Sequence, residues 1–137
     1  MAYRVLIVDD KVVVRETIHD ILLDFDCYVL DAETGETALE LLEATTFHVI
    51  FLDVKLPGIS GIELLRRTRE CARELGKVIM LTGVPEAHTR IEAAQLGAFR
   101  YLSKTPLSRE DVRRAFLDAV CGCQLQPATE NPGRKGC

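Results

Sequence analysis

The feature that most restricts this chain is a fivefold alternation of two kinds of segment. Short apolar runs stand at Val5–Val8, Tyr28–Leu30, Val49–Leu52, Val78–Leu81 and Phe99–Leu102. Three of them scarcely alternate with polar residues, as expected for strands covered on both faces. Between and after them lie stretches with helical spacing. Val14, Ile18, Ile21, Leu22 and Phe25 share one face, then Ala38, Leu41 and Leu42, then Leu65, Thr68, Cys71, Ala72 and Leu75. A weaker fourth stretch carries Ala87, Ile91, Ala94 and Gln95. The fifth carries Val112, Ala115, Phe116, Ala119 and Val120, with Arg113 and Arg114 turned to solvent. The order is β-α five times over. It predicts an α/β fold: an open parallel sheet with helices on both faces and right-handed crossovers.

The punctuation agrees. Gly76 and Gly97 follow helix ends, where a left-handed residue is expected as a cap. Ser108 with Asp111 three residues on resembles a capping box, and Pro85 fits the first turn of the fourth helix. From Gln124 the pattern stops. Residues 124–137 hold two prolines and two glycines without an apolar period, and are read as a flexible tail or a truncated linker.

The 137 residues suit one domain, and 47% hydrophobic with 28% charged residues is a globular balance. A net charge of −4, without a basic run, disfavours non-specific binding of this segment to nucleic acid or an anionic membrane. The apolar stretch after Met1 is too short for a signal-peptide core or a membrane span, so a cytoplasmic location is expected. The five cysteines, Cys27, Cys71, Cys121, Cys123 and Cys137, form no disulfide framework and no four-ligand metal motif, and are read as reduced.

In an open parallel sheet, ligands bind beyond the carboxyl ends of the strands. Asp9 and Asp10 follow the first strand, Asp53 ends the third, Thr82 and Gly83 the fourth, and Lys104 follows the fifth. Three carboxylates, a hydroxyl and an ammonium thus converge on one rim. An aspartate after a strand is often only a helix cap; four strand ends supplying such groups together are much harder to obtain from capping. Clustered carboxylates raise one another's pKa unless a cation sits among them. A hard divalent ion such as Mg²⁺ suits one or two carboxylates, waters and a phosphate oxygen. A carboxylate can also act as nucleophile and form an acyl phosphate. Lys104 would then be a point charge on the phosphoryl oxygens, Thr82 a hydrogen-bond donor, and Gly83 leaves room beside it.

These fragments, taken together, closely resemble the receiver domain of bacterial two-component response regulators. The resemblance runs over residues 3–123. It rests on Val5-Leu-Ile-Val-Asp-Asp10 with Arg15, Ile50-Phe-Leu-Asp53 followed by Leu56-Pro57-Gly58 and Gly61, Met80-Leu-Thr82-Gly83, and Gly97-Ala-Phe-Arg-Tyr101-Leu-Ser-Lys104. It implies a flavodoxin-like, doubly wound (βα)5 fold with strand order 2-1-3-4-5. It implies that Asp53 accepts a phosphoryl group from a phosphohistidine on a sensor histidine kinase or phosphotransfer protein. Asp10 and Asp53 would bind Mg²⁺ directly with the backbone carbonyl of Lys55, and Asp9 through a metal-bound water. Thr82 and Tyr101 would be the switch pair, altering the surface of the fourth helix, fifth strand and fifth helix that selects an output domain or effector. Such a domain catalyses only its own phosphorylation and dephosphorylation. The resemblance also allows a phosphorylation-linked homodimer.

Two departures stand out. The family usually has proline directly after the lysine, with a cis peptide between them; here the order is Lys104-Thr105-Pro106. A cis bond without the proline ring costs about 3 kcal/mol. Either that strain is tolerated, or the bond is trans and the loop is rebuilt, with a cis bond before Pro106. Second, Lys55 stands two residues after Asp53 and is expected to modulate how water reaches an acyl phosphate.

Two other readings keep the same fold class or the same acids. One is a phosphorylation-independent interaction module, whose known members typically lose the acidic residues that this chain keeps. The other is a phosphatase similar to the haloacid dehalogenases, with Asp9 or Asp10 as nucleophile. Those enzymes usually carry a second aspartate two residues on, and Lys11 takes that place after Asp9.

Overall fold

A computed structural model describes residues 2–70, 76–83 and 86–124. Five strands alternate with five helices: β1 Tyr3–Val8, α1 Val12–Leu22, β2 Cys27–Ala32, α2 Gly35–Ala44, β3 Val49–Asp53, α3 Gly61–Glu70, β4 Lys77–Thr82, α4 Ala87–Gln95, β5 Arg100–Ser103 and α5 Arg109–Gln124. All strand pairs are parallel, in the order β2-β1-β3-β4-β5. This is the flavodoxin-like topology that the resemblance implied. Each apolar run forms a strand, and most extend by a residue or two because the parallel ladder also pairs polar residues such as Asp31 and Lys77.

The sheet divides the core in two. Leu6, Val8, Ile50, Leu52, Val78 and Met80 pack towards α2, α3 and α4. Val5, Ile7, Val49, Phe51, Ile79 and Leu81 pack towards α1 and α5, against Ile18, Ile21, Leu22, Val112, Ala115 and Phe116. Successive strand residues point to opposite faces, so a strand apolar at every position can feed both clusters. β3 is buried throughout and does so.

Side-chain caps set where several helices begin. Thr34 Oγ1 accepts the Thr37 amide at 3.1 Å, Ser60 Oγ that of Glu63 at 3.1 Å, and Ser108 Oγ that of Asp111 at 3.1 Å. Each satisfies a helix-terminal N–H that has no partner within the helix. At the end of α4, Gly97 takes φ +94, its amide bonds Ala94 O, and the Ala98 amide bonds Ala93 O. This is the paired cap that a left-handed residue permits. Arg69 of α3 donates from Nε to Leu96 O, and its guanidinium fills the space a side chain at residue 97 would need. Arg66 pairs with both Glu63 and Glu92. Two arginines of α3 thus fasten α4.

The helix end that Gly76 was expected to cap lies outside the described residues, but its close packing is clear. A Cβ at Gly76 would stand 2.2 Å from Phe47 O and 2.4 Å from His48 O. Close backbone approach requires glycine there. Cys71, Ala72, Leu75 and Pro85, and the tail from residue 125, lie outside the described residues. The expectation of reduced cysteines fails at Cys121, which is disulfide-bonded, while Cys27 is free. A bridge needs two Cβ atoms to meet in space, which sequence spacing does not report.

Candidate functional site

β1 and β3 are adjacent and parallel, so their carboxyl ends bring Asp9 and Asp53 to one rim. β4 pairs with β3 on its other side and β5 with β4. Strand alternation then sorts the groups. Asp53 has the parity of Val49 and Phe51, Asp9 that of Val5 and Ile7, and Lys104 that of Leu102, all directed to the α1 and α5 face. Thr82 has the parity of Met80, and Tyr101 packs on the same face as Met80, towards α4. Charge gathers on one side of the sheet and the switch pair of the sequence reading on the other.

The charged group is compact. Asp9 is fully buried and Asp53 nearly so at 2% exposure, while Asp10 lies outward. Carboxylate oxygens of Asp9, Asp10 and Asp53 come within 4.8 Å of one another. Lys104 Nζ lies 2.8 Å from Asp9 Oδ2 and 3.1 Å from Asp53 Oδ2. The bond to Asp9 is a directed hydrogen bond; the contact with Asp53 is an ion pair without that geometry. Asp53 Oδ2 is therefore a buried oxygen without a hydrogen-bond donor among the described residues. Asp53 Oδ1 accepts the Lys55 amide at 3.2 Å, and Asp9 Oδ1 accepts the Lys11 amide at 2.9 Å.

One ammonium does not balance the acids. Burial, and next the Asp9 charge, push the Asp53 carboxyl up to about 6, against the opposing pull of Lys104 and the Lys55 amide. Burial also works against the charged Lys104, but its hydrogen bond to Asp9 and the nearby Asp53 carboxylate outweigh it and hold its pKa above the ordinary value. Three clustered carboxylates, one with an orphaned buried oxygen, are a donor set suited to a hard divalent cation.

Neighbouring backbone fixes these side chains. Arg15 donates from Nη1 to Asp9 O at 2.7 Å and from Nε to Asp31 at 3.3 Å, anchoring the loop after β1. Gly61 packs directly beneath the end of β3, where a Cβ would come 2.0 Å from Asp53 O. The Val54 amide bonds Leu81 O at 2.8 Å, and the Lys104 amide bonds Thr82 O at 2.7 Å. Thr82 is 4% exposed, and a Cβ on Gly83 would meet nothing within 4 Å. Tyr101 is half-buried, its hydroxyl enclosed without a hydrogen-bond partner among the described residues and Arg90 5.1 Å over its ring. Lys55 is exposed on the rim.

Of the two arrangements open at Lys104-Thr105-Pro106, the second is found: the cis bond is Thr105–Pro106. Arg15, Gly61 and Thr105 also shape the site. Arg15 and Gly61 were visible only as parts of a pattern, and nothing in the local sequence ties Thr105 to Gly83.

Comparison with known proteins bears on the same residues. The response regulator receiver domain model matches residues 5–116. The chain is 38% identical over 106 residues to a protein-glutamate methylesterase/protein-glutamine glutaminase of Trichodesmium erythraeum, covering 74% of this chain and 30% of that protein. It is 36% identical over 103 residues to the transcriptional regulatory protein YdfI of Bacillus subtilis, covering 74% and 47%. The chain thus spans half or less of these relatives. The crystal structure of a CheY-like response regulator receiver domain protein from Methanospirillum hungatei superposes with a TM-score of 0.78 at 28% identity, covering 86% of this chain and 93% of that one. With the five-stranded order, the acidic rim and the match over residues 5–116 in agreement, the chain belongs to the response regulator receiver domain family.

Proposed function

We propose that this protein is a phosphorylation-dependent switch of a two-component or phosphorelay system, with Asp53 as the phosphoacceptor. The observation that carries this is the Asp53 carboxylate. It is buried at the rim with one oxygen lacking a donor, beside Asp9, Asp10 and the Lys104 ammonium. An Asp53 oxygen attacks the phosphorus of a phosphohistidine on a sensor kinase or phosphotransfer protein. The new O–P bond forms as the P–N bond breaks, and the bonding pair leaves on the imidazole nitrogen. Asp10, Asp53 and the Lys55 carbonyl would hold Mg²⁺, with Asp9 acting through a bound water. When bound, the ion supplies charge neutralisation on the phosphoryl oxygens. Lys104, a short ion pair away, holds part of the same charge.

Thr82 is the group that senses the added phosphoryl, and Tyr101 follows it. The tyrosine hydroxyl, enclosed without a partner among the described residues, marks a ring whose position is not pinned by a polar bond. The change reaches the surface of α4, β5 and α5, where an output domain or effector reads it, with a phosphorylation-linked homodimer as one form of that output. Lys55 on the rim modulates the lifetime of the acyl phosphate. Residues 3–123 would be the switching unit. The chain acts on itself alone, in the cytoplasm. Among the described residues no helix is long and apolar enough to cross a membrane.

Asp9 is poorly placed as a nucleophile towards outside substrates, because both its oxygens accept hydrogen bonds, from Lys104 and the Lys11 amide, whereas Asp53 keeps one oxygen without a donor among the described residues. The test is incubation with acetyl phosphate and Mg²⁺. Wild type gains one phosphate by mass and Asp53→Ala gains none; equal labelling of both would remove Asp53 from this role. Lys55→Ala should change the half-life of the phosphorylated form.

A further inference from the structure

We propose that Thr105 is a positioning residue: its hydroxyl links the segment carrying Lys104 to the segment carrying Thr82. Thr105 Oγ1 donates to Gly83 O at 2.9 Å across 22 residues of sequence. The Thr105 amide donates to Ser103 Oγ at 3.1 Å, and the Lys104 amide to Thr82 O at 2.7 Å. Lys104 also forms an isolated antiparallel bridge with Leu107. The backbone around Lys104 is therefore held to the end of β4 by two consecutive links, one of main chain and one of side chain.

The need for such a link follows from the lysine. Its ammonium rides on a flexible four-carbon stem with many rotamers. Contacts of 2.8 and 3.1 Å to two different carboxylates persist only where the root of that stem is fixed. β5 is short, ending at Ser103, so regular ladder pairing stops one residue before Lys104. Beyond that point the Thr105 hydroxyl continues the attachment in a form the ladder does not supply. Its acceptor belongs to Gly83, the residue after Thr82. A displacement of Gly83 thus acts on the Lys104 backbone through this bond, and the reverse holds equally.

This role rests on the reading of Asp53 as phosphoacceptor, and its test has one arm that does not depend on that reading. Thr105→Val removes the hydroxyl and keeps the shape; Thr105→Ser keeps the hydroxyl. In amide hydrogen exchange on the metal-free protein, the Lys104 amide should exchange about fivefold faster in Thr105→Val, the effect of one exposed neutral hydrogen bond. In Thr105→Ser it should exchange at the wild-type rate. The amides of Phe51 and Ile79 should not change in either variant. Labelling of Asp53 by acetyl phosphate should slow by a similar factor in the valine variant alone. A wild-type exchange rate at Lys104 in Thr105→Val overturns the proposal. So does equal acceleration in both variants, an acceleration shared by Phe51 and Ile79, or unchanged labelling of a protein that labels. If wild type takes up no phosphate, the phosphoacceptor reading fails while exchange at Lys104 still decides the role of Thr105.

Discussion

Replacing Asp53 by asparagine should make the metal-free protein more stable at neutral pH. The folded protein holds the Asp53 carboxyl at about 6 against an ordinary value of 3.8, through burial first and the Asp9 charge second. The folded value lies above the unfolded one, so folding takes up a proton between those two pH values. The stability tied to a protonated Asp53 is fully present below about pH 4 and lost as pH rises through about 6. At about 1.36 kcal/mol per unit between the two values, the ionised carboxylate weakens the fold by about 3 kcal/mol at most. An asparagine side chain resembles the protonated acid in shape and charge, so Asp53→Asn should recover up to that amount. Urea denaturation in the presence of a chelator is the assay, with both proteins measured near pH 7.5 and again near pH 4. The other titrating groups are common to both, and the difference isolates the site. Saturating Mg²⁺ should narrow the gap at neutral pH, because an ion that binds the native wild type more tightly than the variant stabilises it more by mass action. If the variant is no more stable than wild type near pH 7.5, or if the gap persists unchanged near pH 4, the electrostatic reasoning is wrong.

Other perturbations separate the parts of the site. Lys104→Met leaves Asp9 and Asp53 without their buried cation, and should lose about 3 kcal/mol at neutral pH but less near pH 5, where Asp53 takes up a proton; a loss independent of pH would contradict this. Gly61→Ala sets a methyl group against Asp53 O and should cost about 1–3 kcal/mol while slowing phosphate uptake, measured by denaturation and by mass; wild-type values in both would show that β3 yields freely there. His48 Nδ1 accepts the Arg4 amide at 2.9 Å, and burial, then the Arg4 charge, lower its pKa from 6.5. Its contribution to stability should be present above 6.5 and lost on acidification, and an NMR titration placing it at or above 6.5 would refute that account.

The sheet was legible because parallel strands buried on both faces leave uninterrupted apolar runs, and β3 is the clearest of them. The rim was legible for a related reason: a strand's last residue is fixed by the run that precedes it, so Asp9, Asp53 and Thr82 could be counted off. What escaped depends on contacts between segments. Gly76 carries no local sign that Phe47 and His48 press against it. β2 runs past its apolar run because Asp31 joins through main-chain pairing with Ile7, not through side-chain burial. The partner of Thr105 lies in another loop, and its hydroxyl looked like any other in a turn. The disulfide of Cys121 is likewise a matter of proximity in space.

The bond between Lys104 and Asp9 spans 95 residues, which gives the site an order of assembly. During synthesis Asp9 emerges first and Asp53 next, and both precede the only cation placed between them among the described residues. Such distant contacts form late, because the intervening chain must first be ordered. A chain cut short before β5 lacks the ammonium that these two acids face. If Asp53 is the phosphoacceptor, phosphate uptake should therefore begin only once translation has passed Lys104.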